Sequence, residues 1–296
     1  MSPTAPSAVE PEAEPAAEVE CRRFRAHGPV TLMADVAGPA AGAPVLLLHG
    51  GGQTRSAWRE SALRLAGLGL RVVVPDLRGH GESDWAPDRD YALDAQVQDV
   101  LALIRALPAK PVLVGASMGG LIGMTLAGEH PGVLRALVLV DIVPRVDTAG
   151  RDRIVGFMKA RPDGFGSLEE AADAIAAYLP HRQRPASLTG LGRNLRLRAD
   201  GRYYWHWDPT FFDSFETDLP AAQLRYEAAV RRIAVPILLL RGMMSDLVPE
   251  ERVEAFRRLC PKAEVVNIQD AAHMIVGDRN DAFGAAVIEF LERLPT

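Results

Sequence analysis

Ser117 stands in the sequence Gly115-Ala116-Ser117-Met118-Gly119, with Gly120 next. An apolar run, Pro111 to Ala116, precedes it, and a small-residue stretch of helical character, Gly119 to Glu129, comes after it. A serine on a sharp strand-to-helix turn is lifted clear of the sheet, and small residues two before and two after it keep neighbouring chain from clashing. The helix N-terminus beneath it favours negative charge developing above it. This is the placement that a nucleophilic serine needs for acyl transfer.

A serine hydroxyl is a poor nucleophile until a base takes its proton. The expected base is His273, in Asp270-Ala271-Ala272-His273-Met274, between the last strand and the last helix that the pattern predicts. His206 and His181 are rivals inside a different segment, and His130, before Pro131, reads as a helix-end residue. A neutral imidazole needs an acid to fix its tautomer and to stabilise its charged form. Asp246, in Arg241-Gly242-Met243-Met244-Ser245-Asp246-Leu247-Val248-Pro249, is the expected partner; Asp141, at the end of the strand after the nucleophile helix, is the rival. An oxyanion hole takes two backbone N–H donors. Met118, directly after the nucleophile, supplies one. The run His49-Gly50-Gly51-Gly52 allows close backbone approach and supplies the other from Gly51, with Gly52 as the second choice. His49 reads as a prop for that loop.

These residues need a scaffold that brings distant loops to one edge. Segments 22–27 and 30–37 read as short strands around the turn pair Gly28-Pro29. Pro44 to Leu48, Arg71 to Pro75, Pro111 to Ala116, Ala136 to Ile142, Pro236 to Leu240 and residues 264–268 read as further strands. Several are continuous apolar runs without alternation, which suits strands covered on both faces. Helical stretches lie between them at 58–66, 94–107, 119–129, 250–259 and 281–293. Alternating strand and helix predicts an α/β fold with a mostly parallel sheet. The alternation lapses over about 144–228, where no buried strand is evident and amphipathic pieces such as Leu168 to Leu179 suggest an inserted, mostly helical unit. The expected organisation is therefore a tail at 1–20, a core formed by 21–143 and 229–296, and an insertion at 144–228.

Composition limits the partners. The 296 residues are 48% hydrophobic and 24% charged, with a net charge of −5, the balance of an ordinary globular chain. An acidic protein without a basic surface is a poor match for nucleic acid. The densest basic stretch, Arg193 to Arg202, reads as a solvated helix face. No apolar run is long enough to predict a transmembrane helix, so no membrane partner is expected. MSPTAPSAVEPEAEPAAEVE has neither a basic n-region nor an apolar h-region, and reads as a disordered acidic tail rather than a secretory signal. Cys21 and Cys260 are far apart and in no metal or redox spacing. Two unpaired thiols fit a reducing, cytoplasmic setting.

The motifs together resemble the α/β-hydrolase superfamily over roughly residues 22–296. They are HGGG at 49–52, DLRGHGES at 76–83, GASMGG at 115–120, SDLVP at 245–249 and AAHM at 271–274. The resemblance implies an eight-stranded, mostly parallel sheet flanked by helices, a helical cap at about 144–228, and no metal or organic cofactor. The serine at 117 separates the chain from epoxide hydrolases and haloalkane dehalogenases, which resemble this frame but carry aspartate there. Carbon–carbon bond hydrolases usually place tryptophan after the histidine, where this chain has Met274, and cofactor-free haloperoxidases generally have an aromatic residue after the first His-Gly. The expected activity is hydrolysis of a carboxylic ester or related acyl compound through an acyl-enzyme. A carbon–carbon bond hydrolase of a vinylogous diketone, a haloperoxidase or perhydrolase, and a non-hydrolytic ligand receptor are the alternatives. The expected partner is a small-molecule substrate, and the cap aromatics Tyr204, Trp205 and Trp207 suggest that it has an apolar or aromatic portion.

Overall fold

A computed structural model describes residues 18–178, 188, 190–213, 218–273 and 280–295. The strands are β1 (Val19–Arg25), β2 (Thr31–Ala37), β3 (Pro44–Leu48), β4 (Arg71–Pro75), β5 (Val112–Ala116), β6 (Ala136–Val140), β7 (Leu195–Leu197), β8 (Tyr203–Trp205), β9 (Ile237–Gly242) and β10 (Glu264–Ile268). The helices are α1 (Arg59–Gly67), α2 (Leu93–Arg105), α3 (Met118–Glu129), α4 (Thr148–Lys159), α5 (Leu168–Tyr178), α6 (Leu219–Arg232), α7 (Glu250–Leu259) and α8 (Asn280–Glu292).

Eight strands form one sheet in the order β1-β2-β4-β3-β5-β6-β9-β10. The β1–β2 and β2–β4 pairs are antiparallel and all the others parallel. Burial on both faces accounts for the apolar runs. In β6 Leu137 and Leu139 enter one core, while Ala136, Val138 and Val140 enter the core on the opposite face. Helices α2, α3, α6 and α7 cover the first face, and α1 and α8 cover the second. Each fully buried aliphatic side chain of this kind contributes roughly 1.5–3 kcal/mol relative to exposure, so a strand with five buried positions is fixed in place and in register.

That register aligns the strand ends. Leu48 pairs with Gly115, Ala116 with Val140, and Val140 with Leu240. The carboxyl ends of β3, β5, β6 and β9 therefore lie side by side, and the loops that leave them converge on one edge, where ligands bind in open α/β sheets.

Two features differ from the sequence expectation. The segment at 144–228, read as mostly helical, also contains a short hairpin. It holds α4, α5 and the hairpin β7–β8, with Leu195 paired to Trp205. In the basic stretch Arg193–Arg202, Arg193 and Asn194 end a short 3-10 helix and the remainder forms that hairpin's first strand and turn, rather than one solvated helix face. Helix α6 begins inside the same segment yet packs along α3, so closely that a Cβ on Gly128 would sit 2.2 Å from the Ala229 carbonyl oxygen. At the other end, β1 starts at Val19, inside the segment read as tail; residues 1–17 lie outside the described residues. Cys21 is exposed on β1, Cys260 is buried, and both are free thiols. Among the described residues no helix is long and apolar enough to cross a membrane.

Candidate active site

Ser117 sits between β5 and α3 with φ 46° and ψ −116°, a region that a residue with a Cβ enters only under constraint. The constraint is visible. The Ser117 N–H donates to Val140 O at 3.2 Å, and its carbonyl accepts the N–H groups of Gly120 and Leu121 at 2.9 and 3.0 Å. The flanking glycines are steric necessities. A Cβ at Gly115 would lie 2.4 Å from Gly119 O, and one at Gly119 would lie 2.5 Å from Leu48 O. The motif thus forms a serine held proud of the sheet at the head of a buried helix.

His273 lies on the loop after β10. Its Nδ1 is 2.8 Å from Asp141 Oδ2. The structure therefore does not bring Asp246 to the histidine, and this corrects the expectation for the acid. Asp141 comes directly after β6, is fully buried, and holds φ at 49°. Its Oδ1 accepts the Gly242 N–H at 3.0 Å, and its Oδ2 also accepts the Ser245 hydroxyl. A buried carboxylate is tolerable when its oxygens are this fully satisfied. Accepting from Nδ1–H leaves Nε2 of His273 as the basic nitrogen, the tautomer that a general base needs.

The turn after β9 explains why Asp246 misses. The N–H groups of Met243 and Met244 donate to Ile268 O and Ala271 O, and Ser245 N–H closes back on Gly242 O. This geometry points Ser245 inward, where its oxygen also accepts the N–H groups of Leu247 and Val248 at 3.2 and 3.3 Å. The next residue, Asp246, also lines the cavity but bonds away from the imidazole. It is half exposed and pairs with Arg153 at 3.1 Å. Sequence reading missed Ser245, although a hydroxyl one residue before a candidate acid is a signal of local turn chemistry.

The glycine loop after β3 is held by buried histidines. His49 Nε2 accepts the Leu77 N–H at 2.9 Å, so its Nδ1 carries the proton and donates to Gly50 O at 2.8 Å. Burial lowers its pKa to about 4. Gly50 C=O and Gly51 N–H belong to one trans peptide, whose two polar bonds point opposite ways. Holding the carbonyl down on His49 aims the Gly51 N–H up toward the cavity. The neighbouring donors are committed elsewhere, Gly50 N–H to Gln53 Oε1 at 2.9 Å and Gly52 N–H to His80 Nε2 at 3.1 Å. Among the described residues this makes Gly51 rather than Gly52 the suitable donor. Met118 is the first residue of α3, where helix N–H groups have no intrahelical acceptor.

Ser117, Met118, Gly51 and His273 all line a cavity of about 530 Å³. Phe157, Met158, Trp205 and Trp207 of the inserted segment cover it. The indoles of Trp205 and Trp207 stack at 4.9 Å. Tyr204 does not line the cavity, which corrects its expected role. Side chains alternate along a strand, so Tyr204 faces away from Trp205 in β8; its hydroxyl bonds Asp200 at 2.8 Å and Arg198 stacks on its ring. His206 is buried and serves the backbone, accepting the Gly81 N–H at 2.7 Å and contacting Gly52 O at 3.2 Å. His130 ends α3. His181 and Met274 lie outside the described residues.

Residues 43–279 match the family model of the alpha/beta hydrolase fold. The chain belongs to the α/β-hydrolase family. Over 247 residues it is 30% identical to esterase Rv0045c of Mycobacterium tuberculosis, covering 79% of this chain and 78% of that protein. It is 31% identical over 231 residues to the mouse sn-1-specific diacylglycerol lipase ABHD11, covering 75% of this chain and 72% of that one. The crystal structure of E-2-(acetamidomethylene)succinate hydrolase superposes with a TM-score of 0.82 at 24% identity, over 93% of this chain and 100% of that one, a likeness of fold. This α/β-hydrolase thus carries its candidate residues on the same scaffold as known esterases and lipases.

Proposed function

We propose that the protein is a serine hydrolase of carboxylic esters or related acyl compounds, working through an acyl-enzyme. The observation that carries this reading is one constellation. A strained serine at a helix head shares a cavity with a histidine whose Nδ1 is 2.8 Å from a buried aspartate. Ser117 Oγ attacks the acyl carbonyl while its proton passes to His273 Nε2, and Asp141 stabilises the imidazolium. The N–H groups of Met118 and Gly51 receive the oxyanion. Collapse expels the alcohol, protonated by His273. Water, deprotonated by the same nitrogen, then releases the acid and restores Ser117.

The cavity walls support a substrate with a bulky apolar or aromatic portion. Trp205 and Trp207 form a stacked face over the site, continued by Phe157, whose ring centroid lies 5.6 Å from Trp205. Mostly apolar pockets of this size take small organic ligands. The test is turnover of p-nitrophenyl acetate and p-nitrophenyl benzoate by the wild type and Ser117→Ala. The expected result is a higher kcat/KM on the benzoate, and a loss of kcat of about 10³-fold or more on both esters in Ser117→Ala. Near-wild-type rates in that variant would overturn the reading.

A further inference from the structure

Resting on the acyl-transfer reading above, we propose that His206, carried by the cap, is a positioning residue for the oxyanion hole. With His80 it clamps the Gly52 peptide units and so makes the aim of the Gly51 N–H depend on a docked cap. His206 Nδ1 accepts the Gly81 N–H at 2.7 Å, so the proton lies on Nε2, which donates to Gly52 O at 3.2 Å. From the other side, His80 Nε2 accepts the Gly52 N–H at 3.1 Å, while its Nδ1 donates to Arg78 O at 3.1 Å. The peptide bonds on both sides of Gly52 are therefore tied to imidazoles, one from the core loop and one from the cap.

The cap packs closely against Gly52 on its Cα side. Gly52 has φ 73°, and a Cβ there would lie 2.8 Å from the Met158 methyl and 3.2 Å from the Trp207 ring, both from the cap. The three imidazoles form a row, with His80 lying 5.3 Å from His49 and 5.7 Å from His206. His49 aims the Gly51 N–H directly, and the other two fix the peptides beyond it. This half of the cap is anchored to the same core loop by further bonds. Asp208 N–H donates to Gly79 O at 2.9 Å, and Arg196 donates to Gly81 O at 2.5 Å. Loss of His206 removes the contact to Gly52 and leaves Ser117, His273 and Asp141 untouched, so it acts on the transition state more than on substrate binding.

The experiment compares wild type, His206→Phe and His206→Asn on the better p-nitrophenyl ester, with phenylboronic acid as a probe whose tetrahedral serine adduct places an oxygen in the hole. Phenylalanine keeps the ring and loses both bonds. Asparagine offers an oxygen near the Nδ1 position, so it keeps the Gly81 bond and loses the Gly52 bond. The expected result is a kcat about 10–100-fold lower in both variants, with KM changed by less than about threefold and boronate affinity weakened in step with kcat/KM. Asparagine restores thermal stability without restoring kcat. Unchanged kcat per folded enzyme in either variant, a loss confined to KM, or recovery of kcat by asparagine would overturn the proposal. If His206→Phe does not fold, the asparagine arm decides. A wild type that neither turns over esters nor binds the boronate overturns the acyl-transfer reading itself, whereas an active wild type with indifferent variants overturns only the clamp.

Discussion

Two adjacent parallel strands, β6 and β9, each end near an aspartate, and the structure treats the two acids in opposite ways. Asp141 leaves β6 at φ 49°, turns under the site, and is fully buried with Gly242, Ser245 and His273 on its oxygens. Asp246 comes four residues after β9 ends, on the far side of a turn, and is half exposed with Arg153 of α4 as its partner. Proximity to the sheet edge is shared; direction is not. A carboxylate that orients a histidine must be held from several sides in low dielectric, where its interaction with an imidazolium is strong. Only the end of β6 provides that. The end of β9 contributes in another way, by sending the Ser245 hydroxyl and the Gly242 N–H to support the acid of its neighbour.

Substitution at either acid separates their roles. The largest effect is expected at Asp141→Asn. Asparagine tolerates positive φ, and its oxygen can keep the Gly242 N–H, so the fold should survive. Its amide would then present a donor to Nδ1, forcing the proton onto Nε2 and removing the base. Turnover of a p-nitrophenyl ester should fall about 10³–10⁴-fold, and a fall of less than tenfold in folded enzyme would return the acid role to another group. The smallest effect is expected at Asp246→Asn, which breaks an exposed pair with Arg153. Exposed pairs contribute about 0–1 kcal/mol, so kcat should change by less than about threefold and the thermal midpoint by a few degrees. A collapse of kcat there, with the fold intact, would reverse the ranking.

The same contrast shows what a sequence can and cannot disclose. Ser117 is legible because its requirements are contiguous: apolar strand, small residue, serine, small residue, helix. His273 is legible because it falls between the last strand and the last helix. Gly51 is legible from the strand before it and the freedom of a glycine run. The acid is different. Asp141 and Asp246 both come after apolar strands, and the choice between them depends on a backbone angle at 141 and on a turn whose bonds reach β10 and the loop beyond it. None of that is local. The segment between β6 and β9 shows the same limit on a smaller scale. The aromatic cluster announces a lining, but only the strand character of Tyr203–Trp205 separates Trp205, which faces the cavity, from Tyr204, which does not. Three short paired positions in β7–β8 carry too little periodicity to be read as strands in advance. His206 reads in the sequence only as a rival base, because its service to Gly52 depends on a contact across more than a hundred residues of chain.

The claim on which the rest depends is the bond between His273 Nδ1–H and Asp141. Its most direct measurement is the far-downfield imidazole N–H resonance in the proton NMR spectrum, assigned by its absence in His273→Gln. A proton held between Nδ1 and a buried carboxylate is shielded from exchange and shifted downfield by a charge-assisted bond. This resonance should persist in Asp246→Asn and disappear in Asp141→Asn. Its loss in Asp246→Asn together with its survival in Asp141→Asn would contradict the account.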